Sequence, residues 1–126
     1  MKNSPVSGWV YEEKTVSDIR ATNTLLARIV IAKVEDEQRL VSLLRDLPIV
    51  NGDTNWRCRS WVGSALAEIA KDGKCVGTSR LDWGEIEAFA RQYVAYKTAI
   101  GRYTKADDMV KPKPTYDLLQ EKETVP

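Results

Sequence analysis

The segment over residues 55–62, which reads NWRCRSWV, combines the residue types of this chain that are best suited to chemistry. Cys58 follows a turn signal by a few residues, so we expect it near the N-terminus of a helix. A helix N-terminus and neighbouring cations both stabilise a thiolate. Because Arg57 and Arg59 flank the cysteine, the segment predicts a Cys58 thiol that is more acidic than an ordinary one.

A structural role is the alternative interpretation of this segment. Free cysteine is among the most buried residue types and packs like a small apolar side chain. In that case Trp61 anchors the core, while Arg57 and Arg59 point to water. The residue types alone favour this structural reading.

Composition excludes several classes of site. The chain contains no histidine, so these residues cannot form a complete Ser-His-Asp or Cys-His site. Cys58 and Cys75 are not a CxxC pair and cannot form a zinc site alone, so no metal and no cofactor is predicted. Glu12 and Glu13 are adjacent carboxylates. Such pairs are more often solvated surface charges than members of an acid-base dyad.

Charge and hydropathy limit the partners and the location. A net charge of +1 provides no global field to attract nucleic acid. No apolar stretch approaches the roughly 20 residues of a membrane span, and no signal peptide is predicted. We therefore expect no nucleic-acid or membrane partner, and a cytoplasmic location with reduced thiols.

The length of 126 residues and the periodicity predict a small, helix-rich, single α+β domain with a short sheet. A flexible tail is predicted over residues 1–8, a globular domain over 9–105, and an extended C-terminal tail packing on the domain over 106–126. Residues 25–34 predict a central strand or a buried helix start. Three main helices are predicted over residues 36–47, 54–71 and 82–100, the second capped by Asp53 or Thr54. The predicted core consists of Ile29, Ile31, Leu40, Leu43, Leu44, Trp61, Leu66, Ile69, Trp83, Ile86, Phe89 and Tyr93.

Six separated motifs follow one another along the chain. They are WVYE at 9–12, LLARIVIAKVED at 25–36, LRDLPIV at 44–50, NWRCRSWV at 55–62, LDWGEIEAFARQYVAYK at 81–97 and KPTYDLL at 113–119. Together and in this order, they resemble the C-terminal part of an uncharacterised fungal domain family, and the resemblance covers most of the chain. In that family a His-containing segment precedes the Trp-x-Tyr-Glu motif, and this chain begins close to that motif.

The segment around Cys58 is also remotely similar to the NlpC-type papain-like superfamily, including its permuted acyltransferase relatives. In those enzymes Asn-Cys, with an aromatic residue three positions after the Cys, opens the catalytic helix. Cys58 and Trp61 match this spacing, whereas Asn55 stands three residues before the Cys instead of immediately before it. The resemblance implies that Cys58 holds the position of the nucleophile and that a His from outside the helix completes the pair.

Three hypotheses for function follow. The first is a domain that binds or processes a small molecule with an anionic or carbonyl group, and it leaves open whether the protein is an enzyme. The second is a papain-like thiol enzyme remnant that lacks its His. The third is an interaction module, such as a homodimer, with an apolar patch from Trp9, Trp83 and Tyr96 and an inert Cys58. The first hypothesis places the ligand around Cys58, in contact with Asn55, Trp56, Arg57, Arg59 and Trp61.

Overall fold

The structure is a computed structural model that describes residues 2–4, 8–13 and 25–126. Helix outweighs strand, which confirms the small α+β class. The chain divides into two compact units: unit 1 contains Met1–Thr15 and Lys33–Trp83, and unit 2 contains Val16–Ala32 and Gly84–Pro126. The elements in order are β1 (Lys2–Ser4), β2 (Gly8–Val10), β3 (Arg28–Val30), β4 (Ala32–Val34), α1 (Glu37–Asp46), α2 (Cys58–Asp72), β5 (Val76–Ser79), α3 (Trp83–Ala99), α4 (Ala106–Val110), β6 (Thr115–Asp117) and β7 (Lys122–Val125).

Helices α1 and α2 dominate unit 1, and local sequence sets their ends. The Asp36 carboxylate accepts a hydrogen bond from the Arg39 backbone N–H at 3.0 Å, which caps α1. Helix α2 ends at Gly73, whose φ of 68° is readily adopted only by glycine. Strands β1 and β2 pair antiparallel, and β4 pairs with β5.

The core of unit 1 lies along α2 and the segment after it. The Cys75 carbonyl accepts hydrogen bonds from the Glu35 and Asp36 N–H groups at 2.9 and 3.1 Å, which ties the start of α1 to the end of α2. The buried apolar residues of this unit are Leu47, Ala65, Leu66, Ile69, Cys75 and Val76.

Gly63 lies where α2 approaches the Trp83 ring, and a Cβ placed on Gly63 would be 3.1 Å from Trp83 Cδ1. The variant Gly63→Val should therefore lower the free energy of unfolding by about 1–3 kcal/mol, because the added methyl groups must displace the ring. Urea unfolding followed by tryptophan fluorescence measures this loss. The matched control is Ala70→Val at an exposed position of the same helix. Equal losses in the two variants would show that β-branching, and not the contact with Trp83, is responsible.

Unit 2 is a three-stranded sheet with α3 packed against it. The strand order is β3-β6-β7, with β3 parallel and β7 antiparallel to β6. The rings of Phe89 and Tyr93 on α3 lie 4.6 and 5.9 Å from the Tyr116 ring on β6, measured between centroids. Among the described residues of this unit, three of the buried ones are polar. The buried residues are Ile86, Tyr93, Lys97, Lys113, Pro114 and Thr115.

The predicted helices and strands agree with the structure in type more closely than in extent. Residues 25–34 do not form one element: β3 and β4 are separated by Ile31 and pair in different sheets. Helix α2 begins at Cys58, not at residue 54, because the Asp53 carboxylate accepts from the Asn55 N–H at 2.9 Å instead of capping a helix. Part of the predicted tail at 1–8 is strand β1, and the predicted extended segment 106–126 contains α4, β6 and β7.

The predicted core is only partly buried. Leu66, Ile69, Ile86 and Tyr93 are buried as expected. The remaining members are half-buried, because the elements that carry them are short or have an exposed side. These half-buried residues are Ile29, Ile31, Leu40, Leu43, Leu44, Trp61, Trp83 and Phe89.

Candidate functional site

The first turn of α2 carries the cysteine that the sequence singles out. Cys58 is the first residue of this 15-residue helix and Arg57 is its N-cap, in extended conformation with φ −141°. The Arg57 N–H donates to Ser60 Oγ at 3.1 Å, and the Arg57 carbonyl accepts from the Trp61 N–H at 3.1 Å. These two hydrogen bonds fix the orientation of the first turn.

A short turn leads the chain into this helix. The Asp53 carboxylate accepts from the Asn55 N–H at 2.9 Å, and the Asp53 carbonyl accepts from the Trp56 N–H at 3.2 Å. Asp53 therefore organises the turn before α2, a role that its side chain plays in many turns.

The predicted site residues differ in accessibility. Trp56 and Trp61 are half-buried. Trp61 Nε1 is buried without a hydrogen-bond partner in the described part of the chain, so it is not accessible to a ligand. The Trp61 ring lies 6.0 Å from the Tyr11 ring, measured between centroids. Solvent reaches the other members of the predicted site, which are Asn55, Arg57, Cys58 and Arg59.

The charge at this helix end is positive. The first turn of α2 contains no acidic residue. The side chain of Arg57 at the N-cap cannot accept a hydrogen bond, because a guanidinium has donors only, so it does not cap the first N–H groups as Ser or Asp would. The helix dipole adds partial positive charge at the same place. The exposed side chains of Arg57 and Arg59 therefore add to the positive charge at this helix end.

The carboxylates considered as an acid-base pair do not have the electrostatics of one. Arg45 Nε and Nη2 donate to the two oxygens of Glu13 at 2.7 and 3.0 Å, and the Tyr11 hydroxyl donates to the same carboxylate. The Arg45 guanidinium lowers the pKa of Glu13 to about 2. Glu13 is thus ionised near neutral pH and is no general acid. Within the described ranges, no three His, Cys, Asp or Glu side chains form a group suited to a metal ion.

Asp72 is the centre of a polar cluster that the sequence does not reveal. Its carboxylate accepts from Arg39 Nε at 2.9 Å and Nη2 at 2.6 Å, and from the Cys75 N–H at 3.1 Å. The Arg39 guanidinium holds the pKa of Asp72 far below its usual range. Burial raises the pKa of the Cys75 thiol, and its hydrogen bond to Asp72 raises it further. Cys75 is thus a buried, protonated thiol.

A groove of about 490 Å³ runs between α1 and α2. No residue of the predicted site around Cys58 lines it. A sequence signal exists for only one wall, because Arg39, Leu43 and Asp46 have helical spacing. The residues that line the groove include Arg39, Leu43, Asp46, Leu47, Glu68 and Asp72.

Unit 2 contains a second polar cluster, between α3 and β7. Lys97 is 4% exposed, and its Nζ lies 2.8 Å from Glu123 Oε2. The Tyr93 hydroxyl donates to the same oxygen at 2.6 Å. Lys97 and Tyr93 together lower the pKa of Glu123, and burial raises that of Tyr93. Both partners of Glu123 are buried on α3, which indicates a structural role.

The apolar patch predicted for an interaction module is only partly visible. Tyr96 on α3 and Ile100, the residue just after α3, are 60% and 57% exposed. Trp83 is half-buried, and the side chain of Trp9 lies outside the part that the structure describes. None of the helices in the described part of the chain has the length and apolarity that a bilayer crossing requires.

Comparison with known proteins identifies a family but no activity. The match is to the model of a family of unknown function, DUF6914, over residues 1–125. No curated protein and no solved structure matches the chain. Because the match extends over nearly the whole sequence, the chain belongs to the family of unknown function DUF6914.

Proposed function

We propose that the first turn of α2 binds the anionic group of a small-molecule ligand, such as a phosphate or a carboxylate. The observation that carries this proposal is the exposure of Arg57, Cys58 and Arg59 on one helix turn that contains no acidic residue. Asn55 is exposed at the entrance to the same turn and supplies an amide for further hydrogen bonds.

The physical basis is the polarity of a helix end. Backbone N–H groups of the first turn point out of the helix, and the dipole favours negative charge beside them. A guanidinium adds paired N–H donors whose spacing matches the oxygens of a phosphate or carboxylate. Arg57 and Arg59 thus add side-chain donors to the backbone N–H groups at the start of α2.

Cys58 places a thiol beside the bound group. The likeness to papain-like enzymes favours a nucleophilic use of this thiol, but such catalysis needs a base, and the chain has no His. Binding without hydrolysis is therefore the function that we propose. A fungal origin, the papain-like relationship, a cytoplasmic location and a homodimer stay predictions from the sequence.

The test uses inorganic phosphate as the ligand probe and Cys58 alkylation as the readout. Phosphate should slow the modification of Cys58 by iodoacetamide, as followed by peptide mass spectrometry. In the double variant Arg57→Ala/Arg59→Ala the apparent phosphate affinity should fall by about threefold to tenfold, the effect of losing two exposed charge contacts.

The matched control is Lys71→Ala/Lys74→Ala, which removes two positive charges near the other end of α2. Both lysines are exposed, so the change in net charge is the same while the first turn stays intact. The control should keep the wild-type protection. Absence of protection in the wild-type protein, or equal loss in both double variants, would contradict binding at the first turn.

A further inference from the structure

The apolar side of α1 is incompletely covered. None of its ten residues, all of them within the described part of the chain, is buried, although Leu40, Leu43 and Leu44 follow helical spacing. Leu43 is half-buried and faces the groove between α1 and α2, where it adjoins the buried Leu47. The groove therefore has an apolar floor that solvent reaches.

The walls of the groove are acidic. Asp46 on α1 and Glu68 on α2 are exposed, and Asp72 on α2 also lines the groove. Among the described residues that line the groove, Arg39 is the one cation, and its charge is matched by Asp72. The carboxylates of Asp46 and Glu68 therefore leave the groove with an excess of two negative charges.

A helix terminus strengthens this negative potential. Asp46 is the last residue of α1, where the helix dipole places partial negative charge. A carboxylate at this position costs stability in the free protein, and a bound cation would offset that cost. The groove thus combines an apolar floor with a potential that attracts cations.

We infer that the groove docks a basic peptide segment of a partner protein. An apolar side chain of that segment packs on Leu43 and Leu47, and Lys or Arg side chains on either side of it reach Asp46 and Glu68. From residue 39 to residue 46 the groove spans about 10 Å along α1, which is about three residues of extended chain. The groove shares no residue with the first turn of α2, so this inference is independent of the proposed ligand site.

The test measures binding of a fluorescein-labelled peptide of alternating Lys and Leu by fluorescence anisotropy at low salt. The wild-type protein should bind it, and a peptide with Glu in place of Lys should not bind. The double variant Asp46→Asn/Glu68→Gln should bind the Lys peptide about fivefold to tenfold more weakly, since two exposed ion pairs are lost. Added salt should weaken binding to the wild-type protein more than to this variant.

The matched control is Glu12→Gln/Asp107→Asn, which removes two exposed negative charges that do not line the groove. It should bind the Lys peptide as the wild-type protein does. No binding to the wild-type protein, or equal weakening in both double variants, would overturn the inference. If spermidine binds as tightly as the peptide, the groove binds a free amine and not a peptide segment. If the wild-type protein is a dimer and Asp46→Asn/Glu68→Gln dissociates it, the occupant of the groove is a second copy of this chain.

Discussion

Iodoacetamide is expected to modify Cys58 of the folded protein at least about a thousand times faster than Cys75. Cys58 is exposed at the start of α2, whereas Cys75 is 0% exposed. The reagent reaches Cys75 only when unit 1 opens, and opening a core segment costs several kcal/mol. Burial and the bond to Asp72 also raise the pKa of Cys75, which keeps its thiol protonated.

Peptide mass spectrometry resolves the two thiols, so each serves as the other's control. In denaturant the two rates should converge to within about threefold, because both cysteines then have the environment of a free chain. Comparable rates in the folded protein would show that the core around Cys75 is open. If neither thiol reacts before unfolding, Cys58 is inaccessible and the proposed ligand site loses its basis.

The position of Cys58 could be predicted from sequence because local signals determine it. A turn signal precedes the segment, and apolar residues at helical spacing follow it, so the sequence predicts a helix N-terminus near Cys58. The predicted start at residue 54 lies four residues before the observed start at Cys58. Asp53 is a frequent helix cap, but here it stabilises a turn through Asn55, and only the three-dimensional path of the loop distinguishes these two uses.

The split of residues 25–34 into β3 and β4 depends on distant partners. An apolar run rich in β-branched residues predicts strand, and both halves are strand. The sheet that each half joins depends on residues far along the chain, because β3 pairs with β6 and β4 pairs with β5. Hydrophobic periodicity contains no information about such pairing.

The groove and its acidic walls could not be predicted from the sequence, because they arise from contacts between separate helices. Arg39 and Asp72 are 33 positions apart, and each alone resembles an ordinary surface charge. In the sequence, Asp72 directly follows the helix predicted over residues 54–71 and has no further signal. That its carboxylate also binds Arg39 and the Cys75 N–H follows from the packing of α1 against α2, which a single sequence does not specify.

Lys97→Ala is expected to lower the free energy of unfolding of unit 2 by about 2–3 kcal/mol. Lys97 is 4% exposed and pairs with Glu123, whose side chain is 33% exposed. Removing the cation leaves the carboxylate partly buried with Tyr93 as its remaining partner. The partial exposure of Glu123 keeps the loss below the range for a fully buried pair, which is about 3–5 kcal/mol. Urea unfolding followed by far-UV circular dichroism measures it.

The loss should depend on pH in a defined direction. Lys97 lowers the pKa of Glu123, so the pair stabilises the folded state above the pKa of an unfolded glutamate and loses this contribution as the pH falls through the folded-state pKa. The difference between wild type and Lys97→Ala should therefore be larger at neutral pH than in acid. Lys111→Ala, which removes an exposed pair with Asp108, is the control and should cost at most about 1 kcal/mol. A loss for Lys97→Ala that stays the same in acid would assign the effect to packing of the lysine stem and not to the charge pair.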